Sequence, residues 1–115
     1  MNPELQDKLT EIFPWFDVYV ECGDGWQWII SDMLREIDDL YFDTGREVDI
    51  EILQVKEKWA ELRVYHDSWD EAVNNVVDKY CKLSNDICEI CGGNGNEVNY
   101  NGWILNRCEE CEVKA

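Results

Sequence analysis

The chain has 115 residues, of which 26 are acidic and ten are basic, giving a formal net charge of −16. This charge opposes binding to nucleic acid or to an anionic membrane, and a hydrophobic content of 45% argues against disorder. The length suits one domain, or one domain with a small metal-binding module.

The N-terminus, Met1 to Glu4, lacks the basic and apolar segments of a signal peptide, and no apolar run approaches the length of a membrane span. Cys22 and Cys81 lie outside any cysteine motif, and we expect both to be small, buried, apolar side chains. Free thiols of this kind favour a reducing compartment, so we expect the protein to be cytoplasmic.

The chain begins with a predicted helix and strand. Apolar residues recur at helical spacing over residues 3–13, and Pro14 marks the end of this helix. Residues 15–22 alternate between apolar and polar, which predicts a half-buried strand. Gly23 and Gly25 break the strand, and Asp24 is placed to cap the helix that follows.

A second helix is predicted over residues 26–43, and Gly45 is placed to end it in the left-handed conformation. Its apolar stripe has eight members: Trp26, Ile29, Ile30, Met33, Leu34, Ile37, Leu40 and Tyr41. Four carboxylates share another face: Asp32, Glu36, Asp39 and Asp43. Like charges at this spacing cost a few tenths of a kcal/mol per pair. The acidic face is either simply solvated, which is the commoner case, or a docking face for a basic partner.

Two strands and a third helix follow. Residues 48–56 and 62–66 are rich in β-branched residues, and a change of phase near Ile52 predicts a β-bulge. The turn between them is expected near residues 58–60. Ser68 and Glu71 form a capping-box pattern, which predicts an N-cap at Ser68 and a helix that continues to Leu83.

This order predicts an α+β fold, with helices packed on one face of a small antiparallel sheet. We expect residues 1–86 to form this domain and residues 87–115 to form a zinc ribbon packed against it. Residues 1–51 carry fourteen acidic and three basic residues, a net charge of −11, whereas residues 88–115 carry only −3. The acidic character therefore belongs to the first half of the chain.

The other four cysteines form two Cys-x-x-Cys pairs separated by sixteen residues: Cys88, Cys91, Cys108 and Cys111. This spacing is typical of a structural site in which four thiolates hold one zinc ion. The alternatives are two disulfides, which need an oxidising compartment, or a redox Cys-x-x-Cys, which leaves the second pair unexplained. The first pair also fits the repeat of DnaJ-type chaperone zinc domains, but the second pair lacks the glycines of that repeat.

The residues between the pairs predict a hairpin. Asn101-Gly102 is a strong two-residue turn signal between residues 97–100 and 103–107. Gly92 and Gly93 let backbone amides approach the sulfurs of the first pair.

Catalysis has little support in the sequence. A four-thiolate site has no open coordination position, so the zinc is expected to be structural. His66 is the single histidine, which rules out a metal site built on several histidines, and we expect it to be a surface residue. The predicted ribbon has Arg107 and Lys114 against five glutamates, which disfavours phosphate contact. Tyr100 and Trp103 could stack on bases, but we expect them to form the ribbon's own small core.

Three stretches outside the cysteine pairs suggest a relationship: residues 21–26 (ECGDGW), 54–59 (QVKEKW) and 62–65 (LRVY). Together with the cysteine pairs and Trp103, they make the chain resemble a group of small zinc-ribbon proteins of unassigned function from bacteriophage and prophage genomes. The resemblance covers most of the chain. It implies a phage accessory protein in the host cytoplasm, and it supplies no catalytic residue.

The sequence therefore leads to two hypotheses. The first is a non-enzymatic, zinc-stabilised acidic phage protein that binds a host or phage protein. Its acidic half would mask a basic surface meant for nucleic acid, as anti-defence and anti-CRISPR-like inhibitors do. The alternative is a zinc-ribbon protein that binds nucleic acid or assists transcription.

Overall fold

The computed structural model describes residues 1–112 and mixes helices with strands, which is compatible with the predicted α+β class. Its elements in chain order are α1 (Pro3–Ile12), β1 (Val20–Glu21), α2 (Gln27–Asp43), β2 (Ile52–Lys58), β3 (Glu61–His66), α3 (Glu71–Leu83), β4 (Asn96–Tyr100), β5 (Trp103–Arg107) and α4 (Glu109–Glu112). Short 3-10 turns precede α2 and follow α3. Lys114 and the end of the predicted ribbon lie outside the described residues. None of the helices in residues 1–112 has the length and apolarity needed to cross a membrane.

The three-stranded sheet has the order β1-β2-β3 and is mixed, not antiparallel as predicted. β2 and β3 pair antiparallel, but β1 runs parallel to β2, with Val20 opposite Val55. The predicted strand over residues 15–22 shortens to two residues, because the Gln6 side chain forms the hydrogen bonds of the backbone at residues 18 and 20. The Gln6 amide donates to the Val18 carbonyl at 3.0 Å, and its oxygen accepts from the Val20 amide at 2.8 Å.

The β2–β3 hairpin has the predicted irregularity. Its register shifts between Ile52 and Gln54, which confirms the bulge. The turn contains Trp59 at φ 54° and Ala60 at φ 63°, both in the left-handed region without a glycine. The Glu57 carboxylate accepts a hydrogen bond from the Ala60 amide at 3.0 Å and so ties the turn to its strand.

The apolar face of α2 lies at the centre of the core. All of its predicted members are buried except Leu40, which is partly exposed. Leu9 and Phe13 of the first segment pack against them, whereas Ile12 is 54% exposed and does not join the face predicted for it. The helix ends as predicted, with Gly45 at φ 68° after its last turn.

Two predicted helix caps are wrong. The N-cap of α3 is Asp70, whose side chain accepts from the Ala72 amide at 2.9 Å; Ser68 instead accepts from the amide of Asp70 itself. Asp24 does not cap α2, because its carboxylate accepts from the amide of Asn2 at 2.6 Å. Ser68 thus bonds to an amide just before α3, close to its predicted donor, whereas Asp24 bonds to an amide at the N-terminus, far from the helix that it was predicted to cap.

Candidate metal centre

The four paired cysteines meet in one cluster. The Sγ atoms of Cys88, Cys91, Cys108 and Cys111 all lie within 4.8 Å of one another. All four are free thiols, and the Sγ atoms of Cys91 and Cys108 are 3.6 Å apart, much farther than the roughly 2.05 Å of a disulfide. Cys88 and Cys111 are buried, Cys108 is partly exposed, and Cys91 is exposed.

These separations fit a tetrahedral metal site. Zinc–sulfur bonds of about 2.3 Å place the sulfurs of a regular tetrahedron roughly 3.8 Å apart. The separation between the sulfurs of Cys91 and Cys108 is close to this value. The other sulfur atoms lie at most 4.8 Å apart, so they would need to move only slightly closer to bind one ion. The cluster is therefore a plausible site for one metal ion such as zinc.

The β4–β5 hairpin brings the second cysteine pair back to the first. Its turn is the predicted one, with Asn101 at φ 52° and Gly102 at φ 95°, and its five residue pairs run from Tyr100–Trp103 to Asn96–Arg107. Because Arg107 lies opposite the start of β4, Cys108 follows at the end where Cys88 lies. The sequence signals of the hairpin are thus confirmed, and they account for the meeting of the two pairs.

Backbone hydrogen bonds fold the first pair into a tight turn. The Gly92 amide donates to the Cys88 carbonyl at 2.9 Å, and the Cys88 amide donates to the Gly93 carbonyl at 2.8 Å. Gly92 has φ 80°, so a glycine is needed at this position. In the second pair, the Cys111 amide points at the Cys108 sulfur, 3.4 Å away.

The thiols of the cluster differ in acidity. Burial opposes ionisation of Cys88, but hydrogen bonds from the backbone of Cys91, Cys108 and Ile90 outweigh it and lower its pKa to about 6. The adjacent Cys108 side chain, together with burial, raises the pKa of Cys111 to about 12. Four thiols this close cannot all ionise without a counter-charge. A divalent cation would supply that charge and favour the thiolates that bind it.

The turn of the first pair packs directly onto the segment before α2. The Gly25 amide donates to the Glu89 carbonyl at 2.7 Å, and the indole of Trp26 donates to the Ile87 carbonyl at 2.9 Å. A Cβ atom on Gly25 would approach the Cys88 carbonyl to less than 3.0 Å. Because Trp26 is fully buried in the core, the cysteine cluster is connected to the core through one short backbone segment.

Glu89 is a residue of this contact that sequence reasoning missed. It is only 7% exposed, and its carboxylate accepts from the Gly23 amide at 2.7 Å and from Arg107 at 3.3 Å. The Gly-x-Gly at residues 23–25 is the available signal in the sequence, but by itself it indicates only that a strand ends there. Nothing local to residues 23–25 indicates a partner more than sixty residues away.

The predicted acidic face of α2 is exposed in part. Asp32, Asp39 and Asp43 are solvent-exposed, but Glu36 pairs with Lys79 of α3 at 2.6 Å. Hydrogen bonding from Lys79 lowers the pKa of the Glu36 carboxyl. Arg35 is the basic residue within α2, but the positive charge that pairs with Glu36 comes from the neighbouring helix.

The remaining candidate residues lie apart from the cluster's sulfurs. Burial and the nearby Glu89 carboxylate raise the pKa of Cys22 to about 12; burial and Glu61 raise that of Cys81 to about 11. Cys22 is buried as predicted, whereas Cys81 is partly exposed. His66, at the end of β3, accepts a hydrogen bond from the Ser68 amide at 3.1 Å.

The predicted core of the hairpin is wrong in one respect. Trp103 is 74% exposed and Tyr100 is partly exposed, so Trp103 does not form a core. Instead, Trp103 and Trp59, which is 62% exposed, line an open cleft of about 380 Å³ between the two hairpin turns. Trp103 is the first residue of β5, in a sheet of two strands.

Comparison with known proteins identifies no relative. No protein-family model matches the chain, and neither the curated proteins nor the solved structures yielded a significant match.

Proposed function

We propose that residues 87–112 form a zinc ribbon in which the four-cysteine cluster holds one structural zinc ion. The sulfur separations and the free state of the thiols support this proposal. Four protein ligands fill a tetrahedral zinc ion, so the ion has no position for a water or a substrate. The zinc would stabilise the fold, and the protein would not be an enzyme.

The function that we propose for the whole chain is binding of a protein partner through its acidic first half. Three carboxylates on one helix face carry this proposal: Asp32, Asp39 and Asp43 are exposed, while the opposite face of α2 is buried in the core. A rigid, packed helix presents these charges at fixed positions. Such a surface attracts a basic partner and accelerates the encounter.

The resemblance to phage zinc-ribbon proteins suggests the nature of the partner. An acidic phage protein of this size would bind a basic surface of a host or phage protein, including a surface meant for nucleic acid. It would then act as an inhibitor of the anti-defence kind. Free thiols that hold zinc suit a reducing compartment such as the host cytoplasm.

Charge reversal tests the acidic face. Replacing Asp32, Asp39 and Asp43 together by lysine should weaken capture of a partner from host lysate and flatten its salt dependence. A matched control reverses Asp7, Glu11 and Asp17, three exposed acidic residues outside α2. Equal capture by both variants and the native chain would reject the acidic face as the binding surface.

A second function has one observation in its favour. Trp59 and Trp103 are exposed on either side of a cleft, and Lys58 also lines it. Exposed aromatic rings can stack on the bases of single-stranded nucleic acid, a function that suits a zinc-ribbon accessory factor. The net charge of −16 opposes it, which is why we place it second.

A fluorescence anisotropy titration separates the two functions. A labelled single-stranded oligonucleotide at low salt should show no saturable binding to an acidic protein-binding module. A salt-sensitive complex that is lost on Trp103→Ala would favour the nucleic-acid function instead.

A further inference from the structure

An apolar groove borders the C-terminal half of α2. Trp15, Phe42 and Val48 line it, and it encloses about 410 Å³. The Phe42 side chain is 82% exposed, which is unusual for a large aromatic residue on a helix whose other face is fully packed. The groove is wide enough to receive a bulky apolar side chain.

Carboxylates surround this groove. Asp38 and Glu47 line it and are exposed. Asp43 follows Phe42 in the sequence, Asp39 precedes it by three residues, and both are exposed on the same helix. Asp38 also fixes one wall, because its carboxylate accepts a hydrogen bond from the Trp15 indole at 3.2 Å. The combination is an apolar floor with a negative rim.

The arginine of the groove is already engaged within the protein. Arg46 pairs with Asp70 at 3.4 Å, donates to the Thr44 hydroxyl at 3.0 Å and stacks on the Tyr41 ring, 4.9 Å from its centre. Its charge therefore has internal partners and offsets only part of the negative charge of Asp38 and Glu47, which line the same groove.

We infer that this groove binds a basic protein segment by taking one bulky apolar side chain between Trp15 and Phe42, with flanking lysine or arginine residues against the carboxylate rim. The inference rests on the proposed binding of a basic partner and names the place where the partner is held. Charge steers the segment, and burial of its apolar side chain supplies specificity.

The rim selects this occupant over the others that an apolar groove could take. A second copy of the chain bound in this groove would bring Asp38 and Glu47 close to the same residues of its neighbour, which like-charge repulsion opposes. Nucleic acid and anionic lipid carry the same sign of charge as the rim. A positively charged protein segment meets both features of the groove.

Two synthetic peptides test the inference on the full-length protein. Both are ten residues long and rich in lysine and serine; one has a central leucine, and the other has serine in its place. Each is titrated at low salt into the ¹⁵N-labelled protein, and backbone amide shifts and the Trp15 indole signal are followed. We expect the leucine peptide to bind about tenfold more tightly, because one leucine side chain is partly buried, and its shifts to centre on residues 38–48 and Trp15.

Phe42→Ser should remove the preference for leucine while leaving weak charge-driven binding of both peptides. Leu53→Ser, which removes an apolar residue that is 54% exposed on β2, should leave the preference unchanged. Circular dichroism verifies that both variants fold.

Equal affinity for the two peptides, or a leucine preference that survives Phe42→Ser, would overturn the inference. So would self-association in sedimentation that Phe42→Ser abolishes, because the groove would then be a dimer interface. If both peptides bind equally and the triple reversal of Asp32, Asp39 and Asp43 abolishes binding, the acidic face is supported without the groove. Binding of neither peptide contradicts both.

Discussion

Gly25 is a residue at which the backbone before α2 approaches the first cysteine turn closely. Its amide donates to the Glu89 carbonyl, and a Cβ atom would meet backbone atoms of Cys88, Glu89 and Gly92 at less than 3.0 Å. Backbone atoms cannot rotate away as the end of a side chain can. The space at this position is therefore set by the contact between the two parts of the chain.

Gly25→Ala should lower the free energy of unfolding by about 2 kcal/mol, the typical cost of forcing one extra carbon into a packed site. Gly93→Ala is the matched control in the cysteine turn, since its Cβ would meet only the Cys91 sulfur at an ordinary 3.6 Å. Urea denaturation of the metal-loaded proteins measures both. If Gly25→Ala and the native chain have equal free energies of unfolding, the backbone around Gly25 moves to accommodate the Cβ atom, which would contradict the prediction.

At this scale the sequence could predict residues whose partners are near in the chain. The four cysteines, the Asn101-Gly102 turn and the cap at Gly45 were all found in this way, because each depends on local geometry. The pairs Glu36–Lys79 and Glu89–Arg107, and the contact of Gly25 with Glu89, join residues that only the tertiary structure brings together. No pattern along the chain specifies them.

The β2–β3 turn is an element under backbone strain. Trp59 and Ala60 both adopt positive φ, a conformation that asparagine and glycine accept far more easily than tryptophan and alanine. Residues 58–60 include no glycine, asparagine or proline, so the hairpin could be predicted only from the two strands on either side of the turn. A tryptophan that is exposed and strained contributes little to folding, so its side chain is available for contact.

Trp59→Asn should therefore raise the free energy of unfolding by roughly 0.5–1 kcal/mol, because asparagine tolerates the left-handed conformation. Trp103→Asn, at an exposed strand position without positive φ, should bring no such gain. Thermal unfolding measures both variants. A loss of stability in Trp59→Asn would show that the indole packs in the cleft strongly enough to outweigh the strain.

The start of α2 is the element most exposed to changes in the cysteine cluster. The indoles of Trp26 and Trp28 donate to the carbonyls of Ile87 and Gly92 in the first cysteine turn. The cysteine spacing predicts that metal removal unfolds the C-terminal ribbon, and it gives no information on the rest of the chain. The structure instead couples that segment to the first turn of the central helix.

Hydrogen exchange after chelation tests this coupling. Amides of residues 23–30 should exchange faster together with those of residues 88–112, while β2 and β3 retain their protection as the internal control. Faster exchange confined to residues 88–112 would contradict the coupling and would leave the two parts independent.

Element type was predictable more often than element pairing. Helical spacing found α1, α2 and α3, and alternation found the burial of Phe16 and Val20. Alternation could not reveal that Gln6 satisfies the backbone beside β1, nor that β1 pairs parallel. When a side chain takes the hydrogen bonds that a neighbouring strand would make, the alternation of apolar and polar residues stays the same. Only the pattern of backbone hydrogen bonds changes.

At the scale of the whole molecule, we propose that four thiolates hold one zinc ion against the core while the acidic first half remains free to bind a protein partner. The cluster lies next to Trp26 at the start of the same helix that carries Asp32, Asp39 and Asp43. The start of the helix that carries the acidic face is therefore coupled to the cluster. The proposed zinc ribbon needs the cluster to be a metal site and not a pair of disulfides.

Native mass spectrometry of the freshly purified protein, without added reductant or chelator, tests that claim most directly. We predict one zinc ion per chain, lost on Cys108→Ser and retained on Cys81→Ser, whose thiol is outside the cluster. A metal-free chain that is lighter by four hydrogen atoms, the mass lost when two disulfides form, would contradict the account.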